Sequence, residues 1–183
     1  MWDFIKRHSY DAVKMLVTQI AISVFGLVLA LACSMAGNDQ LRTICSVGAV
    51  LFYLFLIYTT VWDMGAKDSI AVEYGRQPYQ PLKGLYISLI ANSLNWLLAL
   101  GILLGFVFSG LAFFSKLGGG CATAAILAQG MFSGLLAIHI GDTPLNAMPF
   151  VYFLTPLPAL GVAWIGYLAG LKNVKIFNKS AAK

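Results

Sequence analysis

Residues 118–140 read GGGCATAAILAQGMFSGLLAIHI, and whether this stretch crosses a membrane decides the architecture. Its 121–140 portion has the ~20 residues that an α-helix needs to cross a ~30 Å hydrocarbon core. Its composition argues against a span that faces lipid. Three glycines open it, and Gln129, Gly130, Ser133, Gly134 and His139 stand among small alanines. Small residues let neighbouring backbones come close, and chain that turns back at membrane depth is tolerated where protein or a water-filled cavity surrounds it. The stretch is expected to be a re-entrant or outer-interfacial helical segment, with a fifth span as the alternative.

Around it lie four longer apolar runs, at about residues 15–36, 43–62, 84–114 and 148–171, each sufficient to cross as a helix. With 60% hydrophobic residues, 10% charged residues and a mean hydropathy of +0.82, the 183-residue chain has too few charges to clothe a water-soluble domain. We therefore expect an all-α integral membrane protein. It forms a single multi-pass domain over residues 1–183, with four transmembrane helices plus the re-entrant or interfacial segment, or alternatively five transmembrane helices. The first run ends in Ala30-Leu31-Ala32-Cys33, which offers a superficial signal-cleavage site. It is longer than the roughly 7–15 residues of a signal core, so it is read as a retained first span.

Basic residues gather in three places: Lys6, Arg7 and Lys14; Lys67, Arg76 and Lys83; and Lys172, Lys175, Lys179 and Lys183. Arg42 and Lys116 stand apart from them. Cytoplasmic loops of membrane proteins carry the excess of lysine and arginine. The N-terminus, the 63–83 loop and the 172–183 tail are therefore expected in the cytoplasm, where their charge suits anionic lipid headgroups. A net charge of +5 spread over short segments between apolar runs does not point to nucleic acid. Four spans return the tail to the cytoplasm, whereas five would leave it outside.

Polar residues inside the runs form the first candidate site. Gln19, Ser23, Gly26, Ala30, Cys33 and Gly37 follow one helical face of the first run, and Ser88, Asn92 and Asn95 share a side of the third. Amides in hydrocarbon need partners, so the asparagines should point inward, toward Gln19, Gln129 or water. Gln19, Ser88, Asn92, Asn95 and Gln129 are read either as glue between helices or as a site for a polar solute or ion, since an amide both donates and accepts. Gly101, Gly105 and Ser109, and separately Ala159, Ala163, Gly166 and Gly170, have the small-residue spacing of packing faces. Thr155-Pro156-Leu157-Pro158 should kink the last span.

No acid or base lies deep in an apolar run, which argues against a proton-coupled pump. Cys33, Cys45 and Cys121 show no C-x-x-C or Cys/His ligand spacing, and His139 with Asp142 is too short a motif to imply a metal. Neither a nucleophile–base arrangement nor paired carboxylates can be read, so neither catalytic residues nor a metal or cofactor is expected.

The 63–83 loop is the second candidate site. Asp63 and Lys67 form an i,i+4 pair, so the helix should run a turn or two past the membrane before Gly75 and the prolines end it. Asp63, Lys67, Asp68, Glu73, Arg76 and Lys83 then offer either a solvated linker or a docking surface for a cytoplasmic partner.

The segments Gln80-Pro81-Leu82-Lys83-Gly84-Leu85, Ala91-Asn92-Ser93-Leu94-Asn95, Pro149-Phe150-Val151-Tyr152-Phe153-Leu154-Thr155-Pro156-Leu157-Pro158-Ala159 and Gly166-Tyr167-Leu168-Ala169-Gly170-Leu171-Lys172 resemble a group of small uncharacterised multi-pass membrane proteins of Gram-positive bacteria. The resemblance covers about residues 60–175. It implies a bacterial plasma membrane and brings no known activity. The sequence leads to a non-enzymatic accessory, assembly or sensing subunit, working with a protein partner or a second copy of itself. The alternative is a small-solute permease or substrate-binding transporter subunit with its polar site on the third span.

Overall fold

The computed structural model describes residues 2–174, with side chains from residue 9 onward. The side chains of Lys6 and Arg7 and the tail lysines beyond residue 174 lie outside the described residues. The chain is almost wholly helical. Helix α1 spans Trp2–Met35 and α2 spans Asp39–Glu73. The turn between them follows from Gly37-Asn38. Gly37 sits at φ +67, a left-handed conformation that costs glycine no steric penalty. The amides of Gly37 and Asn38 then return to the carbonyls of Ser34 and Cys33 at 3.1 and 3.3 Å, closing α1 with a Schellman motif. The Asn38 side chain accepts from the Leu41 amide at 2.9 Å and caps α2.

At 35 residues, α2 is about 50 Å long. It ends with the same device: Gly75 has φ +67, and Gly75 and Arg76 bond back to Val72 and Ala71. Asp63, Lys67, Asp68 and Glu73 thus belong to the helix, and only residues 74–82 form a turn. Helices α3, Lys83–Ala91, and α4, Ser93–Val107, make one apolar pair bent by 51°.

The third apolar run continues in sequence to residue 114, but α4 stops at Val107 and Ala112 already begins α5, which runs to Ala128. Gly118-Gly119-Gly120 therefore lies within a helix. The reason is packing: Gly118 meets Gly105 of α4 backbone to backbone, and Cys121 fills the space beside Gly101. Past Ala128 the chain turns through a 3-10 turn at Gly130–Phe132 into α6, Ser133–Leu136, with a bend of 84°. A hairpin pairs β1, His139–Ile140, with β2, Thr143–Pro144. Pro144 thus sits in the hairpin and not in the last span. That span comprises α7, Val151–Leu154, and α8, Leu157–Leu171, broken at Thr155-Pro156.

The helices form one bundle with two ends. The N-terminus of α1, the 74–82 turn and the end of α8 share the tail end; residues 36–38, 108–111 and the hairpin share the other. Helix α8 runs parallel to α2, with Gly166 against Tyr58 and Val61 and with Gly170 against Trp62 and Gly65. Helices α5 and α6 form a V. Its first limb lies on α4, its second reaches Arg42 and Ser46 at the start of α2, and its apex touches the middle of α1. Both limbs therefore open toward the hairpin end. Three helical segments, Ser9–Met35, Asp39–Glu73 and Val151–Leu171, are each long and apolar enough to cross a membrane, and there are up to five if each bent pair counts as one.

Candidate functional site

All five predicted polar residues are buried, and the structure divides them into two groups. Ser88, Asn92 and Asn95 form a chain within their own bent span. Asn92 Nδ2 donates to the Ser88 carbonyl at 2.9 Å, and Asn95 Nδ2 donates to Asn92 Oδ1 at 3.0 Å. The expected direct bonds from these asparagines to Gln19 or Gln129 are not made. The Ser88 carbonyl accepts from both the amide and the side chain of Asn92, each at 2.9 Å, at the point where the span bends.

Gln19 and Gln129 meet at the apex of the V. Helix α5 ends there, and its last carbonyls lack the usual helical donors. Ser23 Oγ supplies one to Ala128 O at 2.7 Å, and Gln19 Nε2 reaches the same oxygen at 3.4 Å. Tyr53 of α2 donates its hydroxyl to Gln19 Oε1 at 3.4 Å. From α7–α8, the Thr155 hydroxyl lies 2.8 Å from Gln129 Oε1 and 3.0 Å from Tyr152 O. Pro156 has no amide hydrogen to offer that tyrosine carbonyl, and the one threonine hydrogen, directed at the nearer Gln129 Oε1, is shared with it. The apex is thus tied to α1 and the last span, with Tyr53 of α2 joining it through Gln19. Tyr53 has no distinguishing mark in the sequence, and Thr155 stands out only within the kink motif; neither spacing nor residue type marks them as partners of amides so far along the chain.

Beside the apex is a cavity of about 230 Å³, lined by apolar residues that include Leu31 and Ile126 and by the polar Gln129, Ser133, Arg42 and Asn146. Arg42 also borders a cleft of about 330 Å³ toward the hairpin, lined with Asp39, Gln40 and His139. Of five buried side-chain polar atoms without a hydrogen-bond partner among the described residues, three belong to this wall: Arg42 Nε, Gln129 Nε2 and Ser133 Oγ. Neither Asn92 nor Asn95 lines either space.

The second predicted site is divided by burial. Asp63, Lys67, Glu73 and Arg76 are exposed, with the Arg76 guanidinium 5.8 Å from the centroid of the Tyr74 ring. Asp68 and Lys83 turn inward instead. Lys83 Nζ is 2.7 Å from Asp68 Oδ2, and the side chains are 8% and 14% exposed. Tyr167 of α8 donates its hydroxyl to the same carboxylate oxygen at 2.7 Å. This triad fastens α2, the start of α3 and α8 together. These two charges, expected in a solvated linker or docking surface, face inward instead: an unpaired charge is costly to bury, and each supplies the other's partner.

Among the described residues no three His, Cys, Asp or Glu side chains converge as a metal site. Cys33 and Cys45 are free thiols 3.7 Å apart where α1 and α2 turn. No family model, curated protein or solved structure matches this chain.

Proposed function

We propose that this chain is a non-enzymatic accessory, assembly or sensing subunit of a bacterial plasma membrane, with four spans and a re-entrant segment. The helix surfaces support residence in lipid. Val17, Val28, Leu51, Leu97 and Phe106 are large apolar side chains exposed on the outside of the long helices, more than a soluble monomer presents to water. The V of α5 and α6 supports the re-entrant reading, since both limbs approach from one end and broken backbone at such depth needs protein around it. The positive-inside rule places the N-terminus, the 74–82 turn and the tail in the cytoplasm.

The observation that carries the functional reading is the pairing of the interior amides. Ser88, Asn92 and Asn95 bond to one another and to backbone and line neither of the two spaces described above, an arrangement that favours packing groups over a solute site. Activity then lies in contacts made at the cytoplasmic end. Asp63, Lys67, Glu73 and Arg76 are displayed there, the first three on the long rigid α2, for a partner protein or a second copy of the chain.

Thermal-shift screening of wild type and Asn92→Leu against soluble metabolites tests this reading. We expect no metabolite that stabilises wild type and fails on the variant. Such a metabolite would replace the subunit reading with solute transport, because a ligand of the native state raises its stability in proportion to occupancy.

A further inference from the structure

We propose that the cavity between α1, the start of α2 and the apex of the V holds a lipid whose headgroup carries anionic oxygens, gripped by Arg42. Three independent observations lead there. The first is an arginine short of partners. The Arg42 side chain makes one hydrogen bond among the described residues, from Nη2 to Ser133 O at a long 3.5 Å, its Nε is buried without an acceptor, and no carboxylate lies within 4 Å of it among those residues. A guanidinium has five N–H donors in a planar fork suited to carboxylate or phosphate. The nearby Asp39 lines only the adjoining cleft and is exposed.

The second is Gln129, 2% exposed, which lines the same cavity with its Nε2 unpaired while its Oε1 is already engaged by Thr155. The donors left over at this wall therefore outnumber the acceptors, and an anionic oxygen is the complement they lack. The third is the way in. Leu31 and Ile126, which also line the cavity, are 57% and 45% exposed on the outer surface of the bundle, so the cavity opens sideways between α1 and α5, toward acyl chains. A headgroup reaching Arg42 leaves its chain running out past these two side chains.

The inference rests on the membrane reading above but not on which end faces the cytoplasm. Carbonate extraction of the host membranes reads that residence separately: a chain released into the wash would end the membrane reading whatever the lipid result. The test of the site uses the full chain delipidated in detergent, with thermal stability measured against dioleoylphosphatidylglycerol, oleate, dioleoylglycerol and inorganic phosphate. We expect stabilisation by the phospholipid, by oleate or by both, rising with concentration, and none by dioleoylglycerol or phosphate. Which of the first two acts identifies phosphate or carboxylate as the head. Arg42→Gln should bind the active lipid at least about tenfold more weakly, as loss of a charged hydrogen-bond donor implies.

Should Arg42→Gln fail to fold, Leu31→Trp serves in its place. It changes an exposed residue, narrows the mouth, and should weaken the same lipid. Equal stabilisation by dioleoylglycerol, an equal effect of free phosphate, no effect of any lipid, or unchanged lipid binding in the folded variant would each overturn the proposal.

Discussion

Asp68 is the residue whose role differs most between sequence and structure. Within the linear sequence it is one of several charges in a polar segment; in the bundle its carboxylate receives Lys83 and Tyr167 together. Removing one member of a buried ion pair leaves a charge without compensation and costs about 3–5 kcal/mol, while removing both costs much less. Asp68→Leu and Lys83→Met should each lower stability in detergent steeply, and the double variant should recover most of the loss. A double variant as weak as the sum of the singles would show that the two charges do not face each other. Asn92→Leu should be mild by comparison, about 0.6 kcal/mol and at most roughly 2, because hydrogen bonds between side chains in lipid contribute little on average. Such pairings were only partly legible. Ser88, Asn92 and Asn95 have the i,i+4 and i,i+3 spacing of neighbours on a helix, yet that spacing does not say whether the amides bond along the helix or across to another. Lys83 and Asp68 are joined by a turn whose path no periodicity encodes.

For the elements, the small-residue faces were the clearest signal. Of the small residues spaced as packing faces, Gly101 and Gly105 of α4 meet α5 and Gly166 and Gly170 of α8 meet α2, while Ser109 lies beyond the end of α4 and is exposed. A Cβ at Gly105 would lie 2.5 Å from the Cα of Gly118, and one at Gly166 would lie 2.7 Å from Val61 Cγ2. Neither helix can accept a side chain there without moving apart. Gly105→Leu and Gly166→Leu are therefore expected to abolish or sharply reduce folded protein, whereas Leu103→Ala, at a partly buried position, should be tolerated. Expression and thermal stability in detergent provide the comparison, and equal tolerance of all three changes would mean that these faces look at lipid. The element missed in sequence was the start of α5. The break at residues 108–111 contains no proline, and of the three glycines expected to open the re-entrant segment only Gly118 packs on α4, against Gly105. The break carries only the weak local mark of Ser109-Gly110, whereas Gly37 and Gly75 mark their boundaries by a positive φ.

At the scale of the whole molecule, the central claim is that the chain between α4 and α7 enters the membrane and leaves by the same face. The all-helical class and the approximate positions of the long apolar elements followed from composition and run length, but the path of residues 112–136 depends on contacts with α1, α2 and α4 that lie far apart in sequence. Ser109 and Asp142 flank that path and are exposed. Single cysteines at these positions, in a chain with Cys33, Cys45 and Cys121 replaced by alanine, can be tested in intact cells with a membrane-impermeant maleimide, alongside Lys179→Cys. A re-entrant V predicts that Ser109→Cys and Asp142→Cys both label from outside and that Lys179→Cys labels only after permeabilisation. Labelling of Ser109→Cys and Lys179→Cys from outside, with Asp142→Cys protected until permeabilisation, would mean that residues 112–136 cross the membrane and would replace this architecture with five spans.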